Sequence, residues 1–146
     1  MGALRAGDGA YVLGVMGSHT SRAGQIYFPS GTPDLGDVRP DGSVDFAGSI
    51  QRELFQETGL LPDAAPPMRM WHAVVSGPRI ALMHPLYARE DSTRLANRIR
   101  ANLARERQPE LSDVVVVRGP ADFYPAMPDV VQAYIAFNAR APQRVA

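Results

Sequence analysis

The sequence contains no cysteine and no lysine. Without cysteine there are no disulfides, no thiolate zinc sites and no thiol nucleophile. All 15 basic residues are arginine, so lysine Schiff-base chemistry and the lysine-bearing phosphate loop are excluded. Long apolar runs are also missing. The stretch Tyr11 to Met16 is broken by Gly14 and is too short for a signal-peptide core or a membrane span, so a cytoplasmic protein with no membrane partner is expected. Nor is there an excess of either charge: 15 basic residues balance 15 acidic ones. Binding to nucleic acid through overall charge is therefore not expected.

What is present describes a folded domain. Over 146 residues, 45% are hydrophobic and 21% charged, the proportions of one soluble domain spanning residues 1–146. Ala10 to Met16 reads as a buried strand between Gly9 and Gly17, and Gln25 to Phe28 as a second short one. Pro29 to Gly48 is rich in Pro, Gly and Asp and must be mostly loop. A helix follows, capped by Asp45 or Ser49, with Phe46, Ile50 and Leu54 as its apolar stripe and Gly59 at its end. Met68 to Val75 and Arg79 to Leu86 form a hairpin about Ser76-Gly77-Pro78. Ser92 to Gln108 is a second helix, ended by Pro109, and the β-branched run Val114 to Val117 reads as a central strand. Pro128 opens a last helix bearing Val131, Tyr134 and Ile135. Strands and helices interleave, so the fold class is α/β.

The chemistry concentrates in Arg52-Glu53-Leu54-Phe55-Gln56-Glu57-Thr58-Gly59-Leu60. On a helix Glu53 and Glu57 lie one turn apart on one face. Like charges at this spacing cost about 0.2–0.5 kcal/mol. A hard divalent cation would offset that cost, because Mg²⁺ takes oxygen ligands, uses one or two carboxylates and completes its shell with water and phosphate. The plainer reading is a solvated face on which Arg52 screens both carboxylates.

This segment resembles the helix half of the Nudix box, a Gly, five residues, a Glu, seven residues, then Arg-Glu-apolar-x-Glu-Glu-x-Gly-apolar. Arg52, Glu53, Leu54, Glu57, Gly59 and Leu60 match it, and Phe28-Pro29-Ser30-Gly31 resembles the Phe-Pro-Gly-Gly that enters the box. Two departures stand out. Gln56 replaces one Glu, and Gly31 lies 21 positions before Arg52, where the pattern has 14. The longer loop leaves Asp37, Asp41 and Asp45 as rival stand-ins for the upstream Glu. Only ten residues precede the first clear strand, so the family's N-terminal strand is either very short or trimmed.

The resemblance implies a Nudix-type α/β/α sandwich with a mixed sheet. It also implies a Mg²⁺-dependent pyrophosphohydrolase, with Mn²⁺ as a substitute cation, cleaving the diphosphate linkage of a nucleoside diphosphate derivative such as ADP-ribose, a nucleotide sugar or a dinucleotide. Glu53, Glu57 and the backbone carbonyl of Ser30 would be the metal ligands, and Arg52 would orient the carboxylates. Glu53, Glu110 and Glu90 are the candidate general bases. The alternative is a catalytically weakened nucleotide-binding or regulatory module on the same fold. The partner expected is a small nucleotide, and a homodimer is compatible with the family.

The net charge of zero is unevenly distributed. Residues 34–63 hold seven acids against two arginines, while residues 89–107 hold six arginines against three acids. The arginines could receive phosphate, or simply form the wet face of the second helix. Trp71, Tyr87, Phe28 and Tyr27 are candidates for stacking on a base, with core packing as the commoner fate of strand aromatics. His19, His72 and His84 show no metal-ligand spacing.

Overall fold

A computed structural model describes residues 1–29, 31 and 33–140. Six strands, β1 (Gly2–Arg5), β2 (Tyr11–Met16), β3 (Ile26–Tyr27), β4 (His72–Ser76), β5 (Arg79–Tyr87) and β6 (Leu111–Val117), build one mixed sheet. Three helices accompany it: α1 (Phe46–Thr58), α2 (Ser92–Leu103) and α3 (Asp129–Arg140). Along one edge β2 pairs antiparallel with β6, from Tyr11↔Val117 to Met16↔Leu111, with an irregularity between Val15 and Met16. Along its other edge it meets β3 at Gly14 and Val15 and β1 at Tyr11. β1 continues the sheet into β5 in parallel, and β4 closes it as the hairpin partner of β5.

Alternation along β2 explains the layers. Val12 points to one face, into a core shared with Ile50 and Leu54 of α1 and Leu95 and Ile99 of α2. Tyr11 and Leu13 point to the other, into a core with Val131, Tyr134 and Ile135 of α3. Helices thus cover both faces, which is why the interior strands carry near-continuous apolar sequence. Leu54 is fully buried, and cutting it to Ala would cost about 2–5 kcal/mol.

Local chemistry sets the ends of α1. The Asp45 side chain accepts the Gly48 N–H at 3.0 Å, so Asp45 rather than Ser49 is the N-cap. Gly59 ends the helix in the left-handed region (φ 70°), its N–H bonded to the Phe55 carbonyl at 2.8 Å.

Several boundaries differ from the sequence-based expectation. The N-terminal strand is present and short: β1 has four residues and is held mainly by β5. Residues 68–71 do not pair regularly, because Trp71 turns onto His84 and β4 begins only at His72. α2 ends at Leu103, five residues before Gln108, winding down through tighter bonds from Arg105 to Asn102 and from Glu106 to Leu103. Among the described residues β6 pairs with β2 alone, so it is an edge strand and not a central one. Its valines reflect burial on two faces, and Arg100 of α2 protects the edge by donating to the Val114 carbonyl at 2.6 Å. Phe46 leaves the apolar stripe of α1: it is 41% exposed and lies edge-on to Trp71.

Candidate functional site

The loop between β3 and α1 is built around Asp37. A short 3-10 turn, Leu35–Asp37, is capped reciprocally: Asp34 accepts the Gly36 N–H and Asp37 accepts the Asp34 N–H at 2.9 Å. The chain then leaves on a detour. Val38 bridges Val44, Arg39 donates its N–H to the Ser43 carbonyl at 2.8 Å, and Asp45 returns to donate its N–H to the Asp37 carbonyl at 2.8 Å. Val38 to Val44 is therefore a self-closed hairpin of seven residues, and α1 starts directly after it. Its turn, Arg39-Pro40-Asp41-Gly42-Ser43 between two valines, carries the Pro-Asp-Gly signature of a tight turn, the signal through which the sequence could have revealed it.

Closing the hairpin gives the three aspartates different partners. Asp45 caps α1 and pairs with Arg39 at 2.9 Å, and Asp41 accepts the N–H and hydroxyl of Ser43 within the turn. Asp37 is the one that meets the helix. Its buried carboxylate receives Arg52 Nη1 at 2.7 Å and Nη2 at 3.2 Å. The Arg52 guanidinium, helped by the Asp34 N–H, holds the Asp37 carboxyl down at about 2, and the carboxylate in turn keeps Arg52 firmly protonated. Nη2 of Arg52 also reaches Ser49 Oγ and Glu53 Oε1, each at 3.4 Å. Arg52 thus ties Glu53 to the loop.

Glu53 and Glu57 stand on one face of α1, as their spacing requires. The backbone of Gly31 lies against Glu53 so closely that a Cβ at Gly31 would fall 2.7 Å from Glu53 Cγ and closer still to its carboxyl group. A side chain at this position would have to displace the Glu53 carboxyl group or the loop. Glu57 is buried, 3% exposed, and its charge works on the amino group of Met1, opposing the burial that pulls that group down to about 6. The Pro29 carbonyl accepts the Gly2 N–H at 3.0 Å, which brings the Phe28-Pro29 segment to the same place. One helix face, one glycine and the start of β1 therefore converge. Ser30 lies outside the described residues. Gln56 is exposed.

Among the described residues no group of three or more His, Asp or Glu is placed to hold a metal ion. The site offers two carboxylates, and two suit Mg²⁺ when waters and phosphate oxygens supply its remaining ligands. Of the candidate bases, Glu53 belongs to this cluster. Glu90 is engaged by Arg98 at 2.6 Å. Glu110 is exposed just before β6, where its carbonyl accepts the Gly17 N–H at 2.7 Å.

The other candidates mostly resolve into structure. Arg98 and Arg100 are paired with Glu90 and Asp113, so these two arginines of α2 serve local ion pairs. Phe28 is core, edge-to-face with Tyr11 and Tyr134 at 5.6 and 5.8 Å. Tyr27 carries Arg22 over its ring, and Arg5 lies over Tyr87. His19 is exposed, while His72 lies against Tyr134. Trp71 differs: it stacks on buried His84 at 4.0 Å and borders a cavity of about 320 Å³ with Gly31, Phe46, Ser49, Ile80 and Leu82. Sequence reasoning missed this cavity because Phe46 reads as one more apolar helix position. No family model matches the chain, and no curated protein matches it. Among the described residues no helix is long and apolar enough to cross a membrane.

Proposed function

We propose that the chain is a Nudix-type hydrolase that uses Mg²⁺ to cleave the diphosphate linkage of a nucleoside diphosphate derivative. One observation carries this reading. Removing the self-closed hairpin Val38–Val44 leaves Gly31, five residues, Asp37, seven residues, then Arg52-Glu53, which is the spacing of the Nudix box. The excess loop length is thereby accounted for, and Asp37 takes the place of the upstream Glu. The α/β layering with helices on both faces of a mixed sheet supports the same reading.

Glu53 and Glu57 are the residues that would hold the metal, which when bound neutralises phosphate charge and activates a water. The rest falls to the chain itself. Asp37 fixes Arg52, and Arg52 fixes the Glu53 carboxylate with a charge-assisted bond, so the site needs little reorganisation on binding. Gly31 lets the loop backbone approach without displacing that carboxylate. Glu53, inside the cluster, and Glu110, on the loop before β6, are the carboxylates from which the proton acceptor is drawn.

Formation of nucleoside monophosphate from ADP-ribose, dinucleotides, nucleotide sugars and nucleoside triphosphates, followed by chromatography with Mg²⁺ and with Mn²⁺, tests the proposal. Glu53→Gln and Glu57→Ala should each abolish this metal-dependent cleavage, and unchanged rates in both variants would overturn the assignment. The exposed amide of Gln56, where the box has a carboxylate, favours a second reading: a nucleotide-binding module with weakened turnover. Calorimetric Mg²⁺-dependent binding with no product after long incubation would establish that reading instead.

A further inference from the structure

The cavity beside Trp71 shares two walls with the Arg52–Glu53 cluster. Gly31 lines it and abuts Glu53, and Ser49 lines it and lies 3.4 Å from Arg52. The cavity therefore lies beside the place where phosphates at Glu53 and Glu57 would be held. At about 320 Å³ the cavity is at the small end of ligand pockets, enough for one compact group.

Its surface defines the chemistry of that group. Phe46, Trp71, Ile80 and Leu82 make it largely apolar. Among the described residues lining it, Arg22 is the one charged side chain, and Arg22 already covers Tyr27 at 5.0 Å. The Met1 amino group at its edge donates to the Leu82 carbonyl at 2.7 Å. A polyphosphorylated end would need several unengaged cations here. A flat, uncharged end needs only a rigid ring face. Trp71 supplies it: His84 stacks on it at 4.0 Å with 14° between the planes, and Phe46 meets its edge at 6.4 Å. The His84 ring is itself fixed, its Nε2 2.8 Å from the Met68 carbonyl oxygen. Trp71 is thus held before any ligand arrives, yet stays 37% exposed.

We infer that this cavity receives the nucleobase of the substrate, stacked against Trp71, with the diphosphate directed to Glu53 and Glu57. The inference rests on the hydrolase reading for the diphosphate's position, but the base site can be tested without turnover. Trp71 is the only tryptophan in the chain, so its fluorescence reports on the cavity directly. AMP, GMP, CMP and UMP should be titrated with Mg²⁺, beside ribose 5-phosphate and inorganic pyrophosphate as base-free controls. Saturable quenching by at least one nucleotide and none by the controls is expected. No quenching by any nucleotide, or equal quenching by the controls, would overturn the base site. In turnover, Trp71→Ala should raise KM about 10–100-fold with kcat nearly unchanged, and Trp71→Phe should restore most of the loss. An unchanged KM in Trp71→Ala would overturn the base site while leaving the hydrolase reading in place. Quenching with no hydrolysis of any substrate would do the reverse.

Discussion

Asp37 and Arg52 are separated by a loop and the first two turns of α1, yet the carboxylate of one closes on both terminal nitrogens of the other, at 2.7 and 3.2 Å. Arg52 passes the constraint on to Glu53. A residue of the loop before α1 thus bears, through Arg52, on the Glu53 carboxylate.

The pair should be visible in acid. The Asp37 carboxyl sits at about 2 in the folded chain, against an ordinary value of 3.8, chiefly because of Arg52. A lowered folded-state pKa stabilises the fold above the unfolded value, and the contribution is lost as pH falls from about 4 through about 2. Asp37→Asn should unfold at lower urea than the parent at pH 7, with the gap closing across that window. A gap independent of pH would show that the ion pair adds nothing. The same variant should lose about 10–100-fold in activity at neutral pH, as outer-shell partners of metal ligands do.

Gly31→Ala should act on Glu53 rather than on the fold. The new methyl would have to displace the Glu53 carboxyl group or push the loop away, and a shift of about 1 Å at such a site costs about 100-fold in rate. The melting temperature should stay close to that of the parent, since Gly31 is exposed. Wild-type activity in this variant would mean that the close approach has no role.

The hairpin should be dispensable. Replacing Arg39–Ser43 with Asn-Gly joins Val38 to Val44 through a two-residue turn and removes the exposed Arg39–Asp45 ion pair and the hairpin's own internal hydrogen bonds. Urea denaturation should show a change within about 1 kcal/mol. Metal-dependent hydrolysis should survive, and its loss would mean that the detour contributes to the site.

At the other end of the pH scale, Tyr11 and Tyr134 should report unfolding. Both are buried against Phe28, and burial pushes Tyr11 up to about 12 and Tyr134 higher still. Their neutral forms stabilise the fold fully below the ordinary value of 10, and that stability drains away as pH rises beyond it. Tyrosinate absorbance should therefore rise in two steps, exposed residues first and this pair only together with loss of circular dichroism. A single step with the fold intact would contradict the burial.

Periodicity along the chain was enough to find α1, its glycine stop and the Glu53–Glu57 face, because a helix is a local structure whose signals lie within a few residues of one another. The start of α3 and its buried positions Val131, Tyr134 and Ile135 were legible for the same reason. What escaped depends on partners distant in sequence. β1 exists because β5 receives it, which nothing between Gly2 and Arg5 announces. The valines of β6 signal burial on both faces, and an edge strand between two helices satisfies that as well as a central one. That Asp37, and not Asp41 or Asp45, meets Arg52 depends on the chain folding back on itself between Val38 and Val44.

That closed detour has a consequence for how such chains can vary. A spacing rule written along the sequence counts every residue between two landmarks, whereas the landmarks themselves respond only to where the backbone re-enters. Because Asp45 returns to the Asp37 carbonyl, the stem can lengthen or shorten without moving Arg52 or Glu53. A change of length in the stem is absorbed between Asp37 and Asp45, and the Asp37–Arg52 contact stays where it is.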